Sequence, residues 1–246
     1  MFMRILVAEL LKYKRTLIPL ICCLLPLAFA CMMTFFFWYE KNPLTSRGRW
    51  HWESLLLNSL FDWCSLILPL FLAVIASIAT SVDSLAWKQL LIQPLPRASI
   101  YTCKLLVVCA LALIAQLIYL VGTALGLELL ALPGPIPWGS LFLLFITFLP
   151  MTLPILGLHY WIALRARSVT LSVGLGIVGT YVTFISVGLW TNYITPWTFP
   201  LVVLNLTVFP LHEHVEINSI LLFPLCLLGL ALSIAGGSDF ARKDIA

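Results

Sequence analysis

His212, Glu213, His214 and Glu216 place four potential metal ligands in one short stretch. They lack the i, i+4 histidine spacing with which two imidazoles on one helix face grip a zinc ion, so the stretch reads as the solvated part of a loop. Gly174, Gly176 and Gly179 match G-x-G-x-x-G, but that pattern cradles a dinucleotide only where a strand passes into a helix. Here the glycines lie in an apolar run, where small residues let helices approach closely, and Gly122 with Gly126 forms a second such pair. The seven cysteines show no C-x-x-C spacing and act as small apolar side chains. No lysine precedes a serine or threonine and no G-x-S-x-G is present, which excludes a P-loop and a nucleophile elbow. His159 reads as a packing or interfacial histidine, and His51, between Trp50 and Trp52, as part of an aromatic belt. No residue is assigned a catalytic role and none a metal.

The elements that must position these residues follow from composition. Of 246 residues, 62% are apolar and only 10% charged, with a mean hydropathy of +1.06. A water-soluble surface needs roughly a quarter of the residues charged, so most of this surface faces something other than water. A helix needs ~20 apolar residues to cross ~30 Å of hydrocarbon. Six runs meet that length, at 16–39, 55–80, 101–127, 140–164, 170–190 and 219–237. The chain therefore reads as an all-α membrane protein, one domain over 1–246 with almost nothing outside the bilayer. Pro19, Pro26, Pro69, Pro150, Pro154 and Pro224 lie inside the runs and predict kinks, since neighbouring helices and hydroxyls can satisfy the freed carbonyls. The apolar stretch 194–211 carries Pro196, Pro200 and Pro210, and the segment 192–218 is expected as an outer re-entrant or interfacial piece.

Charge sets the expected orientation. Six crossings put Arg4, Lys12, Lys14, Arg15, Lys88, Arg97, Lys104, Arg165, Arg167, Arg242 and Lys243 on one side and only Lys41, Arg47 and Arg49 on the other. The positive-inside tendency then makes the first side, with both termini, cytoplasmic. Trp38, Tyr39, Trp50, Trp52, Trp138, Trp190, Tyr193 and Trp197 fall at the outer ends of the runs, as interfacial aromatics should. Asp62 and Glu128 lie near outer ends too. Each could line a substrate path or be hydrated at the interface, and their shallow depth favours hydration.

Residues 1–15 are too charged to cross and too apolar for a tail. At 100° per residue Arg4, Glu9, Lys12 and Arg15 share an arc of about 140°, the pattern of a helix lying in the interface. The loop after the second run reads Asp83-Ser84-Leu85-Ala86-Trp87-Lys88-Gln89-Leu90-Leu91-Ile92-Gln93-Pro94-Leu95-Pro96-Arg97. Asp83 to Gln93 suits a short helix with an acid at its positive end and Pro94 as its stop, apolar on the side of Leu85, Leu91 and Ile92. A short amphipathic helix between two crossings is something a cytoplasmic partner can grip.

Together, the interfacial helix containing Ala8-Glu9-Leu10-Leu11-Lys12, the six crossings and the loop with its acid, Trp-Lys, Leu-Leu, Pro and Arg resemble the permease subunits of ABC-2-type transporters. Trp87-Lys88, the compact length and the outer Thr195-Pro196-Trp197-Thr198-Phe199-Pro200 stretch are most similar to lantibiotic-immunity permeases. The resemblance implies that Asp83, Trp87, Lys88, Gln93, Pro94 and Arg97 couple the chain to a cytoplasmic ABC ATPase dimer, which carries the ATP and Mg, while this chain binds no cofactor and is not an enzyme. It implies a second permease subunit, a paralogue rather than an identical copy, residence in a bacterial cell membrane, and no nucleic-acid partner. The implied cargo is a cationic amphipathic peptide, expelled from the membrane as self-protection. An ABC-2 exporter of another hydrophobic or cationic substance and a non-catalytic polytopic scaffold are the competing readings.

Overall fold

The computed structural model describes residues 2–14, 16–40, 52–82, 96–130, 136–166, 168–187, 189–204 and 217–242. Every regular element among them is helical. A short helix α1 (Phe2–Tyr13) precedes α2 (Ile18–Glu40), α3 (Trp52–Asp62) and α4 (Leu68–Ser81). Then follow α5 (Arg97–Leu129), α6 (Trp138–Ala166), α7 (Val169–Ser186), a single-turn α8 (Phe199–Val203) and α9 (Ser219–Arg242). Six helical stretches are long and apolar enough to cross a membrane: Ile18–Tyr39, Leu55–Ser81, Arg97–Leu129, Trp138–Ala166, Val169–Ser186 and Ser219–Arg242. The protein is an all-α, multi-pass membrane protein.

The second crossing is not one uniform helix. Between α3 and α4 the residues Trp63–Ile67 form a π-helical turn, closed by the Leu68 N–H on the Trp63 carbonyl. Pro69 has no N–H to give the Ser65 carbonyl, and its ring would crowd that carbonyl in a regular helix; the wider turn removes the conflict. Thr180 of α7 donates its hydroxyl to the Leu66 carbonyl at 3.3 Å, a neighbouring helix supplying a bond the distorted turn leaves over. The turn also delivers Trp63 to the centre of the bundle. Its ring stacks on Tyr119 at 4.4 Å and 8°, and its Nε1 donates to Gln116 at 3.1 Å. Tyr119 shares a 2.8 Å hydrogen bond with Ser59, so the polar tips of this aromatic core are paired as burial demands. By contrast α2, α6 and α9 run on through Pro26, Pro150, Pro154 and Pro224.

Small residues set the helix pairs. Gly122 and Gly126 of α5 lie against Ala30 and Thr34 of α2, and Gly229 of α9 lies against Leu153 of α6. In the glycine triplet of α7 each position differs. Gly174 has open space where a Cβ would be, Gly176 would place one 2.6 Å from the Cβ of Ala73 on α4, and Gly179 would drive one into the ring of Trp197.

Among the described residues between Ser186 and α9 no helix is long enough to cross. Two 3-10 turns (Trp190–Tyr193, Pro196–Thr198) lead into α8, where Phe199, Leu201, Val202 and Val203 are buried. Thr198 holds the bend by donating to the carbonyls of Asn192 and Thr195 and bonding the Thr195 hydroxyl at 2.8 Å. The Asn218 N–H meets the Val203 carbonyl at 2.8 Å, returning the chain to α9 beside α8.

Trp197 departs from the sequence reading. Instead of sitting in an outer aromatic belt with Trp138, Trp190 and Tyr193, all exposed, it lies beside Gly179 and donates its Nε1 to His159 Nε2 at 3.0 Å. His159 is about 10 Å short of the α6 end opposite Trp138, at 1.5 Å rise per residue. The indole therefore reaches far down between α6 and α7, because a glycine notch and a buried acceptor offer it more than the interface does.

Candidate functional site

Both ends of the loop 83–95 emerge at one end of the bundle, here termed the basal end, and α1 lies across it. The Tyr13 hydroxyl donates to the carbonyl of Ala79, near the end of α4, at 3.4 Å. Glu9 Oε2 accepts from Lys104 Nζ at 2.7 Å, two turns into α5, while Oε1 accepts from Lys12 Nζ at 2.7 Å. Cys103 contacts the Phe2 carbonyl through its Sγ at 3.8 Å. One twelve-residue helix thus grips the element before the loop and the element after it.

The Glu9–Lys104 pair is the electrostatic centre of this platform. The two side chains are 3% and 1% exposed, and burial of either charge alone is costly, a cost that their pairing offsets. Lys12, a third exposed, takes the second carboxylate oxygen, so both strong acceptors of Glu9 are occupied. Within the arc that Arg4, Glu9, Lys12 and Arg15 share on the helical wheel the side chains part company: Glu9 turns into the bundle and Arg4 is exposed. A buried lysine on α5 draws the acid inward, an attraction invisible on a helical wheel of α1. Arg15 lies outside the described residues.

On the far side of the loop, Arg97 opens α5 and donates to the Ala241 carbonyl at 3.3 Å. Asp239 accepts from Arg165 at 2.8 Å and from Trp161 Nε1 at 3.2 Å, which ties α9 to the end of α6. Tyr101 packs on Tyr160 and Phe240 at ring separations of 5.3 and 6.1 Å. The chain 239–242 is therefore not a loose tail: α9 extends to Arg242 and clamps the foot of α5.

The other candidates are scattered. Asp83, Trp87, Lys88, Gln93 and Pro94 lie outside the described residues, as do His212, Glu213, His214 and Glu216. Asp62 is half-buried at the end of α3, immediately before the π turn, and Glu128 is exposed in the last turn of α5. The structure does not bring these two carboxylates into contact with each other or with the basal platform. All seven cysteines are free thiols, and among the described residues no three His, Cys, Asp or Glu side chains gather around a possible metal position.

Three residues at the basal platform are given no partner by the sequence: Lys104, read there as a cation that follows the loop, Tyr13, and Asp239. Lys104 carried a usable signal, since a lysine inside an otherwise apolar run needs a counter-charge within reach.

The family model for the ABC-2 family transporter protein matches residues 5–183. That span takes in Glu9, Lys12, Asp62, Arg97, Lys104, Glu128 and His159, and stops before Trp197 and Asp239. No curated protein matches the chain.

Proposed function

Because the chain belongs to the ABC-2 transporter family, as a membrane permease subunit of an ABC transporter, we propose that its basal end is cytoplasmic and receives an ABC ATPase on the loop 83–97. Asp83, Trp87, Lys88, Gln93, Pro94 and Arg97 would make that contact. The observation that carries this reading is the grip of α1 on both flanks of the loop, through Tyr13 on Ala79 and Glu9 on Lys104. A load applied to a free loop would be lost in bending it. Applied between two flanks joined by one helix, it moves α4 and α5 together, which is how closure of a nucleotide-bound dimer can shift the crossings between two arrangements. The excess of cations at this end, eleven of fourteen, supports its cytoplasmic placement.

The cargo we propose is a cationic amphipathic peptide of the lantibiotic type, cleared from the membrane with the help of a second, paralogous permease subunit. Glu128, exposed at the opposite end, together with Glu213 and Glu216 and without nearby Lys or Arg in those two loops, favours cationic cargo. Copurification tests the docking: an ATPase should accompany the wild type and be lost from Trp87→Ala and Arg97→Ala. Deleting the gene tests the cargo. Selective sensitisation to one peptide of a lantibiotic panel supports it, and unchanged killing across the panel refutes it while leaving the docking reading intact.

A further inference from the structure

The two sides of α1 have different owners. Its inner side meets α5, with Glu9 and Tyr13 buried and Leu6 packed against the core. Its outer side exposes Met3, Val7, Leu10 and Leu11, with Met3 67% and Leu11 61% exposed, on an arc of about 100° at helical spacing. Arg4 and Lys14 are exposed on that same side. Neither makes an ion pair among the described residues. Glu9, the one acid in the helix sequence, has both oxygens taken by Lys12 and Lys104 inside. The folded helix therefore turns outward a face that is apolar and purely cationic.

We infer that this outer face of α1 is a docking surface for anionic phospholipid headgroups. Contacts with Ala79 and Lys104 hold α1 at the level where α4 ends and α5 begins, beside the membrane-crossing stretches. At that depth an apolar stripe meets acyl chains while Arg4 and Lys14 reach the headgroups by extending their aliphatic stems. An acidic soluble partner would match the two cations but leave the stripe of Met3, Val7, Leu10 and Leu11 unmatched. A zwitterionic lipid would match the stripe but not the charge. Because the inner side of the same helix holds both flanks of the loop, an anionic leaflet steadies the basal platform from outside the bundle.

Thermal unfolding of the full chain in neutral detergent, titrated with dioleoylphosphatidylglycerol or dioleoylphosphatidylcholine, tests this without any ATPase, so a failed ATPase copurification leaves the result unaffected. The phosphatidylglycerol is expected to stabilise the wild type at lower concentration than the phosphatidylcholine. The double variant Arg4→Gln/Lys14→Gln should raise the phosphatidylglycerol midpoint roughly tenfold while its melting temperature in phosphatidylcholine stays at the wild-type value. High salt should erase the preference, and inorganic phosphate should not reproduce it. Equal midpoints for the two lipids, a preference that survives in the double variant, or an equal shift with inorganic phosphate would each overturn the inference, the last by showing a simple anion site.

Discussion

The basal platform and the Trp197 region solve the same problem, holding a short segment against a bundle of crossings, by opposite means. At the basal end the bonds are charged: Glu9 with Lys104 and Lys12, and Asp239 with Arg165. Around Trp197 they are neutral: an indole on an imidazole, threonine hydroxyls on carbonyls, and a ring seated where Gly179 has no side chain. Depth does not separate them, since Lys104 and His159 each lie seven residues, about 10 Å at 1.5 Å rise, from the basal ends of α5 and α6. What differs is the neighbour: a buried lysine opposite α1 calls for an acid, whereas a glycine notch and an imidazole nitrogen take an indole by shape and a neutral hydrogen bond.

The sharpest way to break this contrast is to unpair the buried charge. Glu9→Gln leaves Lys104 in the bundle without its counter-ion and is expected to cost about 3–5 kcal/mol, read as a collapse of the melting temperature or of monodisperse yield. Adding Lys104→Met should recover much of the loss. If the single variant is as stable as the double, the platform is not held by charge.

At the other region the expected losses are smaller and of a different kind. Gly179→Ala pushes a methyl group into the Trp197 ring and should cost about 1–3 kcal/mol as overpacking. His159→Leu leaves the indole N–H without its acceptor and should also cost about 1–3 kcal/mol. Combining His159→Leu with Trp197→Phe removes both partners, and thermal unfolding should show the pair milder than the sum.

Salt separates the two ion pairs within the platform. Arg165 is 65% exposed in its contact with Asp239, so Asp239→Asn should cost at most about 1 kcal/mol, and that cost should vanish at high salt. The cost of Glu9→Gln should persist there, because the Glu9–Lys104 pair is buried. The smallest effect is expected at Gly174, whose Cβ position is open: Gly174→Ala should leave the melting temperature within experimental scatter, against a clear drop for Gly179→Ala in the same helix.

That last pair shows how far pattern reading reaches. Three glycines in a G-x-G-x-x-G string were legible as close-packing residues, but which of them packs, and on what, was not, because spacing does not identify the neighbour across the gap. Trp197 was assigned to the interface on the average behaviour of tryptophan, and it went instead to a notch formed by Gly179 of α7 and His159 of α6, two residues remote from it in sequence. Glu9 was placed on a polar arc by its angle on a wheel, which carries no information about a lysine on another helix. The π turn before Pro69 had a visible cause in the proline, yet its consequence, the stacking of Trp63 on Tyr119, required knowing that α5 runs alongside.

Hydropathy and length alone settled that the chain belongs in a membrane and has six stretches long and apolar enough to cross it, because partitioning is a local cost summed residue by residue along one stretch. Folding in three dimensions alone decided that Glu9 belongs to Lys104 and Trp197 to His159, because the energy of a contact across a bundle depends on which helices become neighbours.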